Sequence, residues 1–212
     1  MRTVFIALFI ASAVVHLGSI FTGSHRVRKF TKACLLPLLL AAYMTSAKNF
    51  FAAVLLAILF DWGGDVLLLR SAEKKFFQLG LFCFLAGHLC YIFALIRFTG
   101  TFNGGALAAS AAAAAALGVA ALRFVSPRKD MRLPVIVYIA VIELMAIGSL
   151  QLLLYRGDLM GAAVFGGSLC FLFSDTVLGY FIFRTLLKYG DIVIMLPYIL
   201  AQAGIVWGLA AI

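Results

Sequence analysis

The sequence predicts an all-α, polytopic membrane helix bundle of eight transmembrane helices. Three observations lead there. Hydrophobic residues make up 65% of the 212 and charged residues only 12%, about half the charged share of an ordinary globular domain. The mean hydropathy is +1.14. The charges that do occur break the chain into apolar runs of close to the ~20 residues that a helix needs to cross a hydrocarbon core. With 17 basic and 8 acidic side chains, no soluble surface can be assembled. A cytosolic enzyme, a secreted domain and a disordered chain are excluded.

The runs are 3–22, 31–46, 50–69, 76–97, 103–123, 133–154, 160–183 and 191–211. The first follows Arg2 and contains Ala11-Ser12-Ala13, which also fits a signal peptide; the other seven keep the chain in the membrane either way. The second is the shortest. The fifth carries an alanine run, Ala106 and Ala108 to Ala116 broken by Ser110, which suits close helix packing in lipid. The loops are short, so residues 1–212 are expected to form a single integral membrane domain.

The basic residues orient the runs. Arg26, Arg28, Lys29, Lys32, Arg70, Lys74, Lys75, Arg123, Arg128, Lys129, Arg132, Arg184 and Lys188 fall on one side of an eight-span topology. Arg2, Lys48, Arg97 and Arg156 fall on the other. Basic residues favour the cytoplasmic side, so both termini are expected to be non-cytoplasmic. The same asymmetry explains the net charge of +9 without nucleic acid, because the charge is spread over four membrane loops. Cys34, Cys83, Cys90 and Cys170 lie within the runs without CxxC spacing and read as packing residues.

Ionisable and polar groups at membrane depth are expensive, so each is a candidate site residue. Asp61 and Asp65 lie four apart in Phe60-Asp61-Trp62-Gly63-Gly64-Asp65, on one helix face. Gly63 and Gly64 thin that helix and leave room for a ligand or another helix. Asp175 lies about eight residues from the cytoplasmic end of its run, and its bland reading is a structural anchor. His88 and Tyr91 are neighbours at i,i+3, and Tyr198 and Gln202 at i,i+4; all four suit either substrate contacts or ties between helices. Glu143 falls near mid-membrane, and its rotation from Tyr138 puts the two on different faces. Lys32 either snorkels to the interface or meets a lipid phosphate. Gly64-Asp65-Val66-Leu67-Leu68 echoes Ser174-Asp175-Thr176-Val177-Leu178, which hints at two parallel four-helix repeats.

No HExxH, GxSxG or Walker A pattern occurs, and His16, His25 and His88 are scattered. Metal hydrolysis and acyl-enzyme chemistry are poorly supported. Carboxylate acid–base chemistry, transport of a small solute or protons, and a non-enzymatic scaffold remain.

The order of several stretches resembles one family. These are Thr31-Lys32 with Pro37, Phe60 to Leu69, Gly80 to Tyr91 with Ala86-Gly87-His88, Leu133-Pro134-Val135 through Tyr138 to Met145, Phe173-Ser174-Asp175, and Tyr198 with Ala201-Gln202. Over most of its length the sequence resembles the YhhN family of integral membrane proteins, whose characterised animal members are lysoplasmalogenases. The resemblance implies cleavage of the vinyl ether bond of a lysoplasmalogen to a fatty aldehyde and a glycerophospho-ethanolamine or -choline. It implies Asp65 and Asp175 as the catalytic pair. Lys32, Asp61, His88, Tyr91, Tyr138, Tyr198 and Gln202 become candidate substrate contacts. It implies no metal and no cofactor, a lysophospholipid substrate among membrane lipids, and placement in a bacterial inner (cell) membrane. Two positions depart from the family pattern: Asp61 stands where a small residue such as Ser is frequent, and Glu143 where a less acidic residue is expected.

Overall fold

The computed structural model describes residues 1–184 and 190–212; Lys188, one of the orienting basic residues, lies outside them. Among the described residues the fold is all-helical, with eight α-helices and no strand. They are α1 Arg2–Phe21, α2 His25–Ser46, α3 Ala52–Leu68, α4 Lys74–Phe98, α5 Gly104–Val125, α6 Arg132–Arg156, α7 Leu159–Phe183 and α8 Gly190–Ala210. One 3₁₀ turn, Lys129–Met131, leads into α6.

Each apolar run lies on its own helix, but the helices do not all begin where the apolar runs begin. The second run starts at residue 31, whereas α2 starts at His25. The basic stretch between them is rich in Arg and Lys, which are good helix formers, so the helix outlasts its hydrophobicity. Local signals set several ends. Asn103 caps α5 by accepting from the Ala106 N–H at 2.9 Å. Asp158 caps α7 by accepting from the Gly161 N–H at 2.9 Å. The Arg156 guanidinium pairs with Asp158 at 2.6 Å; that pairing first, and the cap second, hold the Asp158 carboxyl below its ordinary range. Gly157 ends α6 at φ 63°, the left-handed conformation that glycine adopts without strain.

Among the described residues, six helices are long and apolar enough to cross a membrane: α1, α4, α5, α6 with its leading turn, α7 and α8. The remaining two differ for separate reasons. α2 carries His25, Arg26, Arg28, Lys29 and Lys32 at its start. α3 has only 17 residues, at the lower limit for a span.

The chain divides into two compact units, Met1–Ala94 with Leu209–Ile212, and Leu95–Gly208. In the first unit the core is built from Leu35, Leu39, Tyr43, Val54, Ile58 and Tyr91. Polar ties, one buried and one exposed, join its helices. His16 Nδ1 donates to the Thr31 hydroxyl at 2.8 Å, because Thr31 directs its own proton to the Val27 carbonyl. Trp62 Nε1 donates to the Ala33 carbonyl at 2.9 Å. Gly64 admits a helix rather than a ligand, since a Cβ there would lie 2.6 Å from the ring of Phe84 on α4.

In the second unit the core holds Met131, Ile142, Met145, Leu152, Val164 and Phe171. The outer residues Phe124, Leu133 and Phe173 are exposed, as expected of helices whose solvent is hydrocarbon. Only Val125 of α5 is buried. The rest of that helix is half-buried along one stripe, Ala106, Ser110, Ala114, Gly118 and Ala121-Leu122, spaced about one turn apart. Most of the alanine run faces outward.

The helices α7 and α8 meet at backbone distance. A Cβ on Gly167 would stand 2.9 Å from the Ala201 carbonyl oxygen and 3.0 Å from the Ile205 nitrogen. Backbone atoms cannot step aside, so Gly167→Ala forces α8 outward and is expected to destabilise the protein by about 1–3 kcal/mol. Gly166 has nothing within 4 Å of the same added atom. Gly166→Ala is therefore expected to be neutral or mildly stabilising through helix propensity. Unfolding of both variants in a mixed-micelle denaturant titration checks the contrast; equal effects would mean that the two helices do not touch at Gly167.

Candidate functional site

The candidate residues fall into one polar cluster in each unit. The cluster of the first unit is carried by α2, α3 and α4. Lys32 reaches from α2 to Asp65 on α3, with Nζ 3.3 Å from Oδ1. The carboxylate side chain is 2% exposed and the lysine 19%. The ion pair is thus buried at its acidic end and reaches the surface at its basic end. Asp61 lies one turn before Asp65 on the same face, and both are buried. Gly87 of α4 packs against the Asp61 carboxyl so closely that a Cβ there would collide with Oδ1. Only glycine leaves that carboxyl its place between α3 and α4. The next residue, His88, is fully buried, and its Nδ1 donates to the Phe84 carbonyl of its own helix at 2.5 Å. That bond fixes the ring, since a carbonyl can only accept. Tyr91 lies one turn further along α4 and is completely buried.

The cluster of the second unit is carried by α6, α7 and α8. The Tyr138 hydroxyl of α6 donates to Asp175 Oδ2 of α7. Asp175 is half-buried. Its predecessor Ser174 is buried and donates to the Ile194 carbonyl of α8 at 2.9 Å, which holds this stretch of α7 against α8. Phe171, four residues before Asp175 and on the same face, packs edge-on against the Tyr198 ring at 5.5 Å. Gln202 Nε2 donates to the Tyr198 hydroxyl at 3.5 Å. Tyr198 and Gln202 are thus coupled to each other and, through Phe171, to the Asp175 turn.

Within its unit each aspartate has a polar side chain held to it. Asp65 has an ammonium and Asp175 a phenol. The first cluster brings opposite charges together across α2 and α3. A phenol donor can serve either form of an acid, so the second cluster leaves proton exchange open. Sequence reasoning named every one of these side chains except Ser174, Gly87 and Phe171 as participants. Ser174 and Gly87 stood in quoted motifs without a role, and Phe171 carries no signal beyond its apolar character. Glu143 joins neither cluster; it faces α5 at Gly118.

No curated protein and no solved structure matches the chain. Residues 27–209 match the family model described as YhhN family, from Val27 in α2 to Leu209 in α8, and the chain belongs to that family.

Proposed function

We propose that the protein is a lysoplasmalogenase-like hydrolase, which cleaves the vinyl ether bond of a lysoplasmalogen to a fatty aldehyde and a glycerophospho-ethanolamine or -choline. Membership in the YhhN family carries this reading. Asp65 and Asp175 are its catalytic groups. Vinyl ethers open by protonation of the carbon distal to the oxygen, which leaves an oxocarbenium ion. Water adds to that ion and gives up a proton, and the resulting hemiacetal collapses to aldehyde and alcohol. One acid and one carboxylate suffice, with no metal and no cofactor. Asp175, beside a phenol, is the acid. Asp65, beside an ammonium, is the carboxylate that steadies the cation or takes the proton from water. Lys32 spends one of its three donors on Asp65 and keeps the others for the lipid phosphate. Asp61, His88, Tyr91, Tyr138, Tyr198 and Gln202 orient water or the glycerol backbone.

The same proposal places residues 1–212 in a bacterial inner membrane as one integral domain, with all eight helices crossing and both termini non-cytoplasmic. Each compact unit holds four helices, in keeping with two four-helix repeats.

The deciding experiment gives the purified protein a lysoplasmalogen and, as control, its saturated ether analogue. Fatty aldehyde is expected from the first only. Absence of aldehyde, or full rate in both Asp65→Asn and Asp175→Asn, overturns the enzyme. Substrate flux into liposomes without aldehyde would instead identify a carrier.

A further inference from the structure

Glu143 sits near the middle of α6 and is 8% exposed, and its Oε1 has no hydrogen-bond partner among the described residues. A buried polar atom left unmatched is costly, and at membrane depth it marks a site. Glu143 lines an open groove of about 330 Å³ on the second unit. Leu117, Ala121 and Phe124 of α5 and Leu169, Leu172 and Phe173 of α7 form much of its walls. The one other polar lining residue, Thr176, directs its hydroxyl proton to the Leu172 carbonyl at 2.7 Å. Gly118 provides the seat. A Cβ there would lie 2.8 and 2.9 Å from the two carboxyl oxygens, so the acid rests on bare α5 backbone.

The chemistry of the groove selects its occupant. Its volume lies at the lower end of the range for small-molecule sites, about 300–1,000 Å³. The walls fit a hydrocarbon chain. Among the described residues the lining has no cation to receive a phosphate. A carboxyl accepts a hydrogen bond in either form and in its neutral form donates one as well. We propose that this groove binds a neutral, single-chain amphiphile, with its hydroxyl or carbonyl oxygen hydrogen-bonded to the Glu143 carboxyl. No residue of either aspartate cluster is among the described lining residues, and binding there does not depend on vinyl ether hydrolysis.

Dicyclohexylcarbodiimide tests the site in the full-length protein, reconstituted at one copy per nanodisc. The carboxyl proton passes to one carbodiimide nitrogen, the carboxyl oxygen adds to the central carbon, and the adduct rearranges to a stable acylurea. Peptide mass spectrometry then locates the label. Label is expected on Glu143. 1-Dodecanol or 2-dodecanone, at about ten times its dissociation constant, is expected to slow this labelling about tenfold, with dodecane ineffective. Ala121→Phe, which places a ring in the groove, is expected to suppress labelling while the protein remains monodisperse. Four results overturn the proposal: no label on Glu143, equal protection by dodecane, protection by dodecylamine alone, or wild-type labelling in Ala121→Phe. Protection that arises only at two copies per disc would assign the groove to a second copy of the chain and overturn it as well.

Discussion

Asp175→Asn is expected to lower aldehyde release about 10²–10⁴-fold, the usual contribution of a general acid, while leaving the helices in place. Asparagine has the shape of aspartate and keeps a carbonyl oxygen to accept from the Tyr138 hydroxyl. Ser174 still ties the turn to Ile194. What disappears is the transferable proton. Because proton transfer belongs to the transition state, kcat and kcat/KM should fall together with little change in KM. Tyr138→Phe tests the same site more gently. A hydrogen bond to the negative charge that develops on Asp175 as its proton leaves contributes about 1.5–3 kcal/mol, so its loss should slow turnover roughly ten- to a hundredfold. Steady-state kinetics on the purified variants distinguishes this from a structural role. A variant Asp175→Asn with unaltered kcat, or one whose only defect is a raised KM, would remove Asp175 from the chemistry.

The apolar runs and their order were legible in the sequence because charges in a membrane protein are forced to the ends of the spans. The start of α2 was not legible, since hydropathy reports where lipid is tolerated and Arg and Lys continue a helix beyond it. The polar residues could be singled out, because each is costly at membrane depth. Their partners could not. The sequence offers Lys32 the interface or a lipid phosphate, and nothing local says that α2 turns it toward Asp65. Tyr138 and Asp175 are on different helices, and their bond depends on the rotation of α6 against α7. Periodicity gives the face that a residue occupies on its own helix; it does not give the residue across the gap. Gly118 makes the point most sharply. It is one small residue at the end of an alanine-rich run, and only the position of the Glu143 carboxyl gives it a role.

The Lys32–Asp65 pair predicts an asymmetric loss of stability. Lys32→Met keeps an apolar stem of similar length but takes the ammonium from a carboxylate that is 2% exposed. Breaking a buried pair from one side typically destabilises by about 3–5 kcal/mol. The 19% exposure of Lys32 places the expected loss at the lower end, because the surface partly screens that charge. Asp65→Asn should cost less. The lysine it leaves behind lies in the first third of α2, and its long side chain can turn to the interface. The double variant should recover much of what Lys32→Met loses, since no buried charge is then left without its counterpart. A double-mutant cycle measured by denaturant titration in mixed micelles gives the coupling directly. Equal losses in the two single variants, or additive losses in the double, would mean that the carboxylate is held by something other than Lys32. Activity divides the outcomes further. A double variant that regains stability but releases no aldehyde would show that the Lys32–Asp65 pair serves the reaction and that the fold can do without it.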